Sequence, residues 1–193
     1  MMAIKDALLG AIAGTNRGLL ADLQTKSQVE HLASQLEAQS SQSEPLQSPH
    51  LTGVWRLLYT TSQELLQIDR LPLFKLGQIY QCVYSETATI YNIAEVPGLP
   101  YLDGLISVSA TFTAVSSKRV DVAFNRAVFG LQSLVNYRSP AELVDQMRMG
   151  SLAAIDFPIR RENQQGWLEV TYLDADLRIG RGNAGSLFVL SKQ

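Results

Sequence analysis

A mainly β domain preceded by two helices is what this sequence predicts, with the β part either a closed antiparallel barrel or a sandwich. Three observations predict it. Short segments of alternating hydrophobicity recur from residue 51 to the end. Nothing among them reads as a series of βαβ crossovers, so the strands run antiparallel. The first 39 residues have a different period, with apolar side chains every three to four positions.

In the helical segment, residues 1–39, Ile4, Ala7, Leu8, Ala11 and Ile12 form one apolar stripe, and Gly14 with Asn16 to Gly18 supplies a stop. Val29, Leu32, Ala33 and Leu36 form a second stripe. Ser27 and Glu30 are spaced as a capping box, which would start that helix at Ser27. Amphipathic faces in soluble proteins usually meet their own core, so both helices are expected to pack on the domain that follows. The first lacks the Lys/Arg-rich polar face of a membrane-surface helix. Residues 40–50, polar and rich in serine and proline, form a linker, and residues 51–193 form the β domain.

The β domain opens with LTGVWRLLYTTS. Alternation sets Trp55, Leu57 and Tyr59 on one face and Val54, Arg56, Leu58 and Thr60 on the other. Further strands are expected at 77–84, near 87–94, at 105–114 and at 118–124. Their clearest inward sets are Ile106, Val108, Ala110 and Phe112, then Val120, Val122 and Phe124. Ser116 and Ser117 separate the last two at hairpin length without a glycine. A short helix is expected at 141–149, after Pro140, and residues 157–161 begin another strand ahead of a turn at 162–166. The chain closes with a hairpin. Leu168, Val170 and Tyr172 alternate with Trp167, Glu169 and Thr171, Leu177 and Ile179 continue the alternation, and residues 187–190 pair back after a glycine-rich turn.

That turn holds a literal GxGxxG at Gly180, Gly182 and Gly185. A dinucleotide site would need a helix after the third glycine and an acidic residue about 20 positions on. Here SLFVL is strand-like, so the nucleotide reading is rejected.

Composition narrows the function classes. Of 193 residues, 46% are hydrophobic and only 18% charged, and the net charge is −2. This gives a substantial core and no basic excess for nucleic acid. Cys82 is the only cysteine, so it has no disulfide or thiolate metal partner within the chain. No secretory signal is visible and no run reaches the roughly 18 to 20 apolar residues of a membrane span, so a soluble or peripheral protein is expected.

The polar candidates carry no catalytic constellation. Asp174 and Asp176 suit turn stabilisation or arginine pairing better than acid–base work. His31 on a helix and His50 in the linker lack metal or triad partners. Thr61 and Ser62 lack a nucleophile-elbow context. No metal and no cofactor are expected.

GVWRLLYTTS near the start of the β region, paired with TYLDADLRIGRGNAGSLFVL at the end and with LLGAIAGTNRGL in the helical segment, resembles the plastid-lipid-associated protein family, also called fibrillins or plastoglobulins. The two ends are the specific parts; the middle is similar in pattern only. The resemblance implies a lipocalin-like antiparallel β-barrel. It further implies non-catalytic binding or organisation of apolar lipids, carotenoids and prenylquinones at thylakoid or lipid-droplet surfaces. No transit peptide precedes the opening segment, which points to a cyanobacterial member at the cytoplasmic face of thylakoids or on droplets, or to a mature plastid form. Gly53 and Trp55 resemble the lipocalin GxW, whose tryptophan plugs the closed end beneath a late-strand arginine. Arg178 and Arg181 are the candidates for that arginine.

The expected ligand is an apolar small molecule or lipid in a barrel cavity, with peripheral membrane contact and no nucleic-acid partner. Its lining is expected to be Trp55, Leu57, Tyr59, Val108, Ala110, Phe112, Val122, Phe124, Val170 and Tyr172. Inward apolar side chains fill a core as readily as they line a hollow, and sequence leaves oligomeric state open. Two other classes stand beside this one: a structural coat or scaffold that uses only its outer surface, and a chromophore lyase-like enzyme, which would need polar groups inside the barrel.

Overall fold

The computed structural model describes residues 2–62, 77–98, 102–159 and 165–193. Two helices come first, α1 (Met2–Ile12) and α2 (Leu23–Ala38). Nine described strands follow: β1 (Gly53–Thr60), β2 (Ile79–Tyr84), β3 (Thr89–Val96), β4 (Gly104–Ala114), β5 (Arg119–Leu131), β6 (Ile155–Pro158), β7 (Gln165–Leu173), β8 (Leu177–Gly182) and β9 (Leu187–Lys192). A third helix, α3 (Pro140–Met149), lies between β5 and β6. The turn expected at 162–166 lies largely outside the described residues.

Every pairing is antiparallel, and β4 pairs with β5 as well as β3. As a result β1, β2, β3, β4, β5, β7, β8 and β9 close an eight-stranded barrel, and the sandwich alternative falls. The long β5 serves two neighbours, with 119–123 pairing to β7 and 126–129 to β6. The hairpin between β4 and β5 needs no glycine, because the Ser116 hydroxyl accepts from the amides of Lys118 and Arg119. β1, β3, β5 and β8 end, and β2, β4, β6 and β9 begin, at the same end of the barrel, termed the upper end.

The α2 boundary corrects the sequence expectation. Asp22 is the N-cap, its carboxylate accepting from Thr25 N at 2.7 Å, and Ser27 lies inside the helix. A carboxylate satisfies an orphan amide where the chain is still extended, so the helix begins ahead of the capping-box pattern.

Both N-terminal helices pack on the outside of the barrel. Leu8 and Ile12 of α1 and Val29, Ala33 and Leu36 of α2 form one buried cluster with Leu177, Ile179, Leu187 and Val189. The inner cluster is separate and holds Trp55, Leu57, Ile79, Val83, Ile90, Ala94, Val170, Leu173 and Leu190. On the opposite outer wall, α3 buries Leu143, Val144 and Met147 against Cys82, Tyr91, Ile93 and Leu105. Tyr80, Cys82 and Tyr84 therefore face outward under α3, and burial pushes the Cys82 thiol up to about 12, leaving it inert at neutral pH.

Two register shifts decide which face each tyrosine takes. Pairing slips between Leu57 and Tyr59 in β1 and between Val170 and Tyr172 in β7. A bulge inserts one residue and turns the next side chain to the other face. Tyr59 and Tyr172, expected on the barrel lining, instead belong to the helix-facing cluster.

Candidate functional site

The lower end of the barrel is a built floor. Trp55 is fully buried, and its indole N–H donates to Leu51 O at 2.9 Å. Arg178 places its guanidinium carbon 5.0 Å from the centroid of the Trp55 ring, and Lys192 Nζ lies 5.1 Å from it. Arg178 donates to Gln81 Oε1 and is itself 2% exposed. Burial lowers its pKa from the ordinary arginine value, while the face of the indole offers the charge partial compensation. Gly53 adopts φ +138°, and a Cβ there would come 2.9 Å from Lys192 Cε, so the glycine gives the lysine room over the tryptophan. Arg181 is not part of the floor. It points outward, binding Glu37 at 2.8 Å and Glu30 at 2.6 Å and tying β8 to α2.

Leu46 and Leu51, from the segment before β1, enter this lower end and close it. Together with Val83, Ile90, Phe112, Val120, Leu168, Val170 and Arg178 they enclose a void of about 20 Å³. That is room for about one water molecule. Among the described residues, this hollow at the floor is thus far smaller than a lipid. The bulky Phe112 and the entering Leu46 occupy the space.

The remaining expected lining residues, Leu57, Val108, Ala110, Phe112, Val122, Phe124 and Val170, follow the concave parity of their strands. Their burial is graded. Ala110 is fully buried near the floor, whereas Ile106, Val108 and Phe124 are half-buried, and Phe129, further up β5, is 39% exposed. Phe129 stacks on Phe157 of β6 at 5.6 Å between centroids. Around this upper end lie Leu102 before β4, Leu134 after β5, and Ile155, which is 71% exposed. Leu20, in the α1–α2 connection, and Leu23, the first residue of α2, are exposed too, and that connection docks on the end of β1 through Thr60 N donating to Arg17 O. Of the ten large, strongly exposed hydrophobics among the described residues, seven lie toward this end, Leu20 and Leu23 on the β1 side and the other five across the barrel around β4, β5 and β6.

The acidic pair is structural. Asp174 Oδ1 accepts from the amides of Asp176 and Leu177, and Oδ2 accepts from Lys5 and Tyr172, which pins the β7–β8 turn to α1. Burial pushes its carboxyl up, but Lys5 and the other donors together outweigh that and hold it below its usual range. After Gly185 the chain enters β9, with no helix there to hold a pyrophosphate. No three His, Cys, Asp or Glu side chains converge as metal ligands among the described residues. Sequence reasoning missed Gln81, Lys192 and Leu46, because each reaches the floor only through barrel closure.

A family model named PAP_fibrillin matches residues 2–191. The chain is 33% identical over 219 residues to the light-induced protein, chloroplastic, of Solanum tuberosum, covering 98% of this chain and 67% of that one. It is 32% identical to plastoglobulin-1, chloroplastic, of Pisum sativum, with 98% and 61% covered. It is 31% identical to the chromoplast-specific carotenoid-associated protein of Cucumis sativus, with 98% and 67% covered. No solved structure matches.

Proposed function

The chain belongs to the plastid-lipid-associated protein (fibrillin) family, and on that premise we propose that it associates non-catalytically with apolar lipids, carotenoids and prenylquinones included. Contact is made through the upper end of its barrel, at the surface of lipid droplets or photosynthetic membranes. The names of its relatives, a plastoglobulin and a carotenoid-associated protein, support lipid association. The observation that carries the choice of surface is the apolar rim formed by Leu20, Leu23, Leu102, Leu134, Ile155 and the stacked Phe129 and Phe157. Five of these side chains lie on the β4–β6 side, and soluble monomers rarely gather exposed apolar side chains at one place without a binding role.

The filled floor favours ligand contact at the rim and on the half-buried concave face of β4 and β5 over carriage of a lipid deep inside. Each large side chain transferred from water to lipid contributes about 1.5 to 3 kcal/mol, so several together suffice for peripheral attachment. Flotation with neutral phosphatidylcholine vesicles, and with triacylglycerol droplets carrying carotenoid, tests this reading. The Ile155→Asp/Phe157→Asp double variant, changed at two exposed positions, is expected to bind at least tenfold more weakly while keeping the β-sheet circular dichroism of the wild type. Flotation equal to wild type would overturn the rim as the lipid-facing surface.

A further inference from the structure

Outside the barrel wall, at the same upper end, a second hollow of about 300 Å³ lies between α1 and the start of the sheet. Leu9 and Ile12 of α1, Asn16 and Arg17 of the following turn, and Arg56 and Leu58 of β1 are among its lining. Two guanidinium groups and two side-chain amides, those of Asn16 and Gln78, thus share a hollow whose other lining residues are aliphatic or glycine. Arg56 makes no ion pair with a carboxylate among the described residues, and its Nε is buried without a hydrogen-bond partner. A buried donor left unmatched costs stability unless a ligand satisfies it, and a fork of N–H donors fits the oxygens of an anionic group. Among the described residues, Tyr80 is influenced by both Arg56 and Glu95, and the Glu95 carboxylate already accepts from the Tyr137 hydroxyl at 3.0 Å.

We propose that this hollow receives the anionic headgroup of an amphiphilic lipid, with its phosphate-type oxygens on Arg56 and Arg17 and its apolar portion along Leu9, Ile12 and Leu58. The placement fits, because Leu20, 72% exposed, belongs to the same α1–α2 connection as Arg17, and Leu23, 85% exposed, opens α2 directly after it. A lipid surface met by the rim brings headgroups to the level of the two arginines. The inference rests on the upper end being the lipid-facing end, and it adds a preference for charge that the apolar rim alone does not provide.

Flotation is to be compared on neutral phosphatidylcholine vesicles and on the same vesicles with one part in five phosphatidylglycerol, for wild type, Arg56→Gln, Arg17→Gln and, as a control, the exposed Arg138→Gln. Wild type is expected to bind the anionic vesicles about tenfold more tightly, with each of the first two variants losing about fivefold of that gain and keeping its neutral-vesicle binding. Arg138→Gln is expected to match wild type. Absence of any anionic preference in wild type overturns the inference, as does an equal loss in all three variants, which would report diffuse electrostatics. Inorganic phosphate that raises the melting temperature of wild type but not of Arg56→Gln, in a protein without vesicle preference, would mark a free-anion site and overturn the lipid assignment. Failure of wild type to bind neutral vesicles or droplets would instead sink the rim reading, so the two failures are distinguishable.

Discussion

Trp55 and Arg178 set two opposing effects against each other at the barrel floor. A guanidinium over an indole gains about 0.5 to 2 kcal/mol, whereas taking an unpaired charge out of water costs several kcal/mol. Arg178 has the Trp55 ring and the neutral Gln81 as partners, with Lys192 adding like charge. Replacing it by an apolar side chain of similar length removes both effects at once. Arg178→Met is therefore expected to leave unfolding stability within about 1 kcal/mol of wild type or to raise it. Trp55→Ala, which empties the floor, is expected to cost about 3 to 5 kcal/mol. Urea midpoints decide between them, and an Arg178→Met loss as large as that of Trp55→Ala would mean that the guanidinium contributes more than its buried charge costs. The sequence offered Arg178 and Arg181 as equals. Three positions apart on one strand they face opposite sides, and only the register of β8 says which side is inward.

At the scale of elements, α1 and α2 cover the outer wall of β1, β7, β8 and β9. Leu8 is fully buried there against strand residues, and Thr171 donates to Glu37 at 2.7 Å. Leu8→Ala is expected to lower stability by about 2 to 5 kcal/mol, as read by thermal or urea unfolding. A loss below 1 kcal/mol would mean that the helices are dispensable covers. Removing residues 1–39 altogether would uncover Tyr59, Leu177, Ile179, Leu187 and Val189 together. Such a truncation reports on solubility before it reports on lipid binding, so point changes on the rim are the cleaner probes. The periodicity of both helices was legible because an amphipathic stripe is a local pattern. The bulges of β1 and β7 were not, since a one-residue slip between strands leaves the alternation on either side intact.

For the whole molecule, tyrosines on several elements share one electrostatic direction. Burial, assisted by Asp174, pushes Tyr172 up to about 12, and burial also raises Tyr59, Tyr80 and Tyr84. An unfolded tyrosine releases its proton near pH 10. A raised folded-state value contributes stability that is fully present below about pH 10 and lost as pH climbs toward the folded value. The barrel is accordingly expected to weaken progressively between about pH 10 and 12, with Tyr172→Phe flattening part of that decline in urea titrations at stepped pH. An unchanged slope would assign the alkaline loss to other groups. Asp174 acts in the opposite sense: its lowered carboxyl contributes stability that is fully present above the ordinary value of 3.8 and is lost as pH falls below that toward the lower folded-state value. The antiparallel β class, the leading helices, the two specific ends and the rejection of a nucleotide site follow from the amino-acid order alone, because period, turn chemistry and motif context are written along the chain. The filled floor, the outward turn of Tyr59 and Tyr172, the apolar rim and the paired arginines beside α1 were decided only in three dimensions. Each depends on residues from distant segments meeting when the sheet closes, and alternation records that a side chain is apolar without recording what lies across from it.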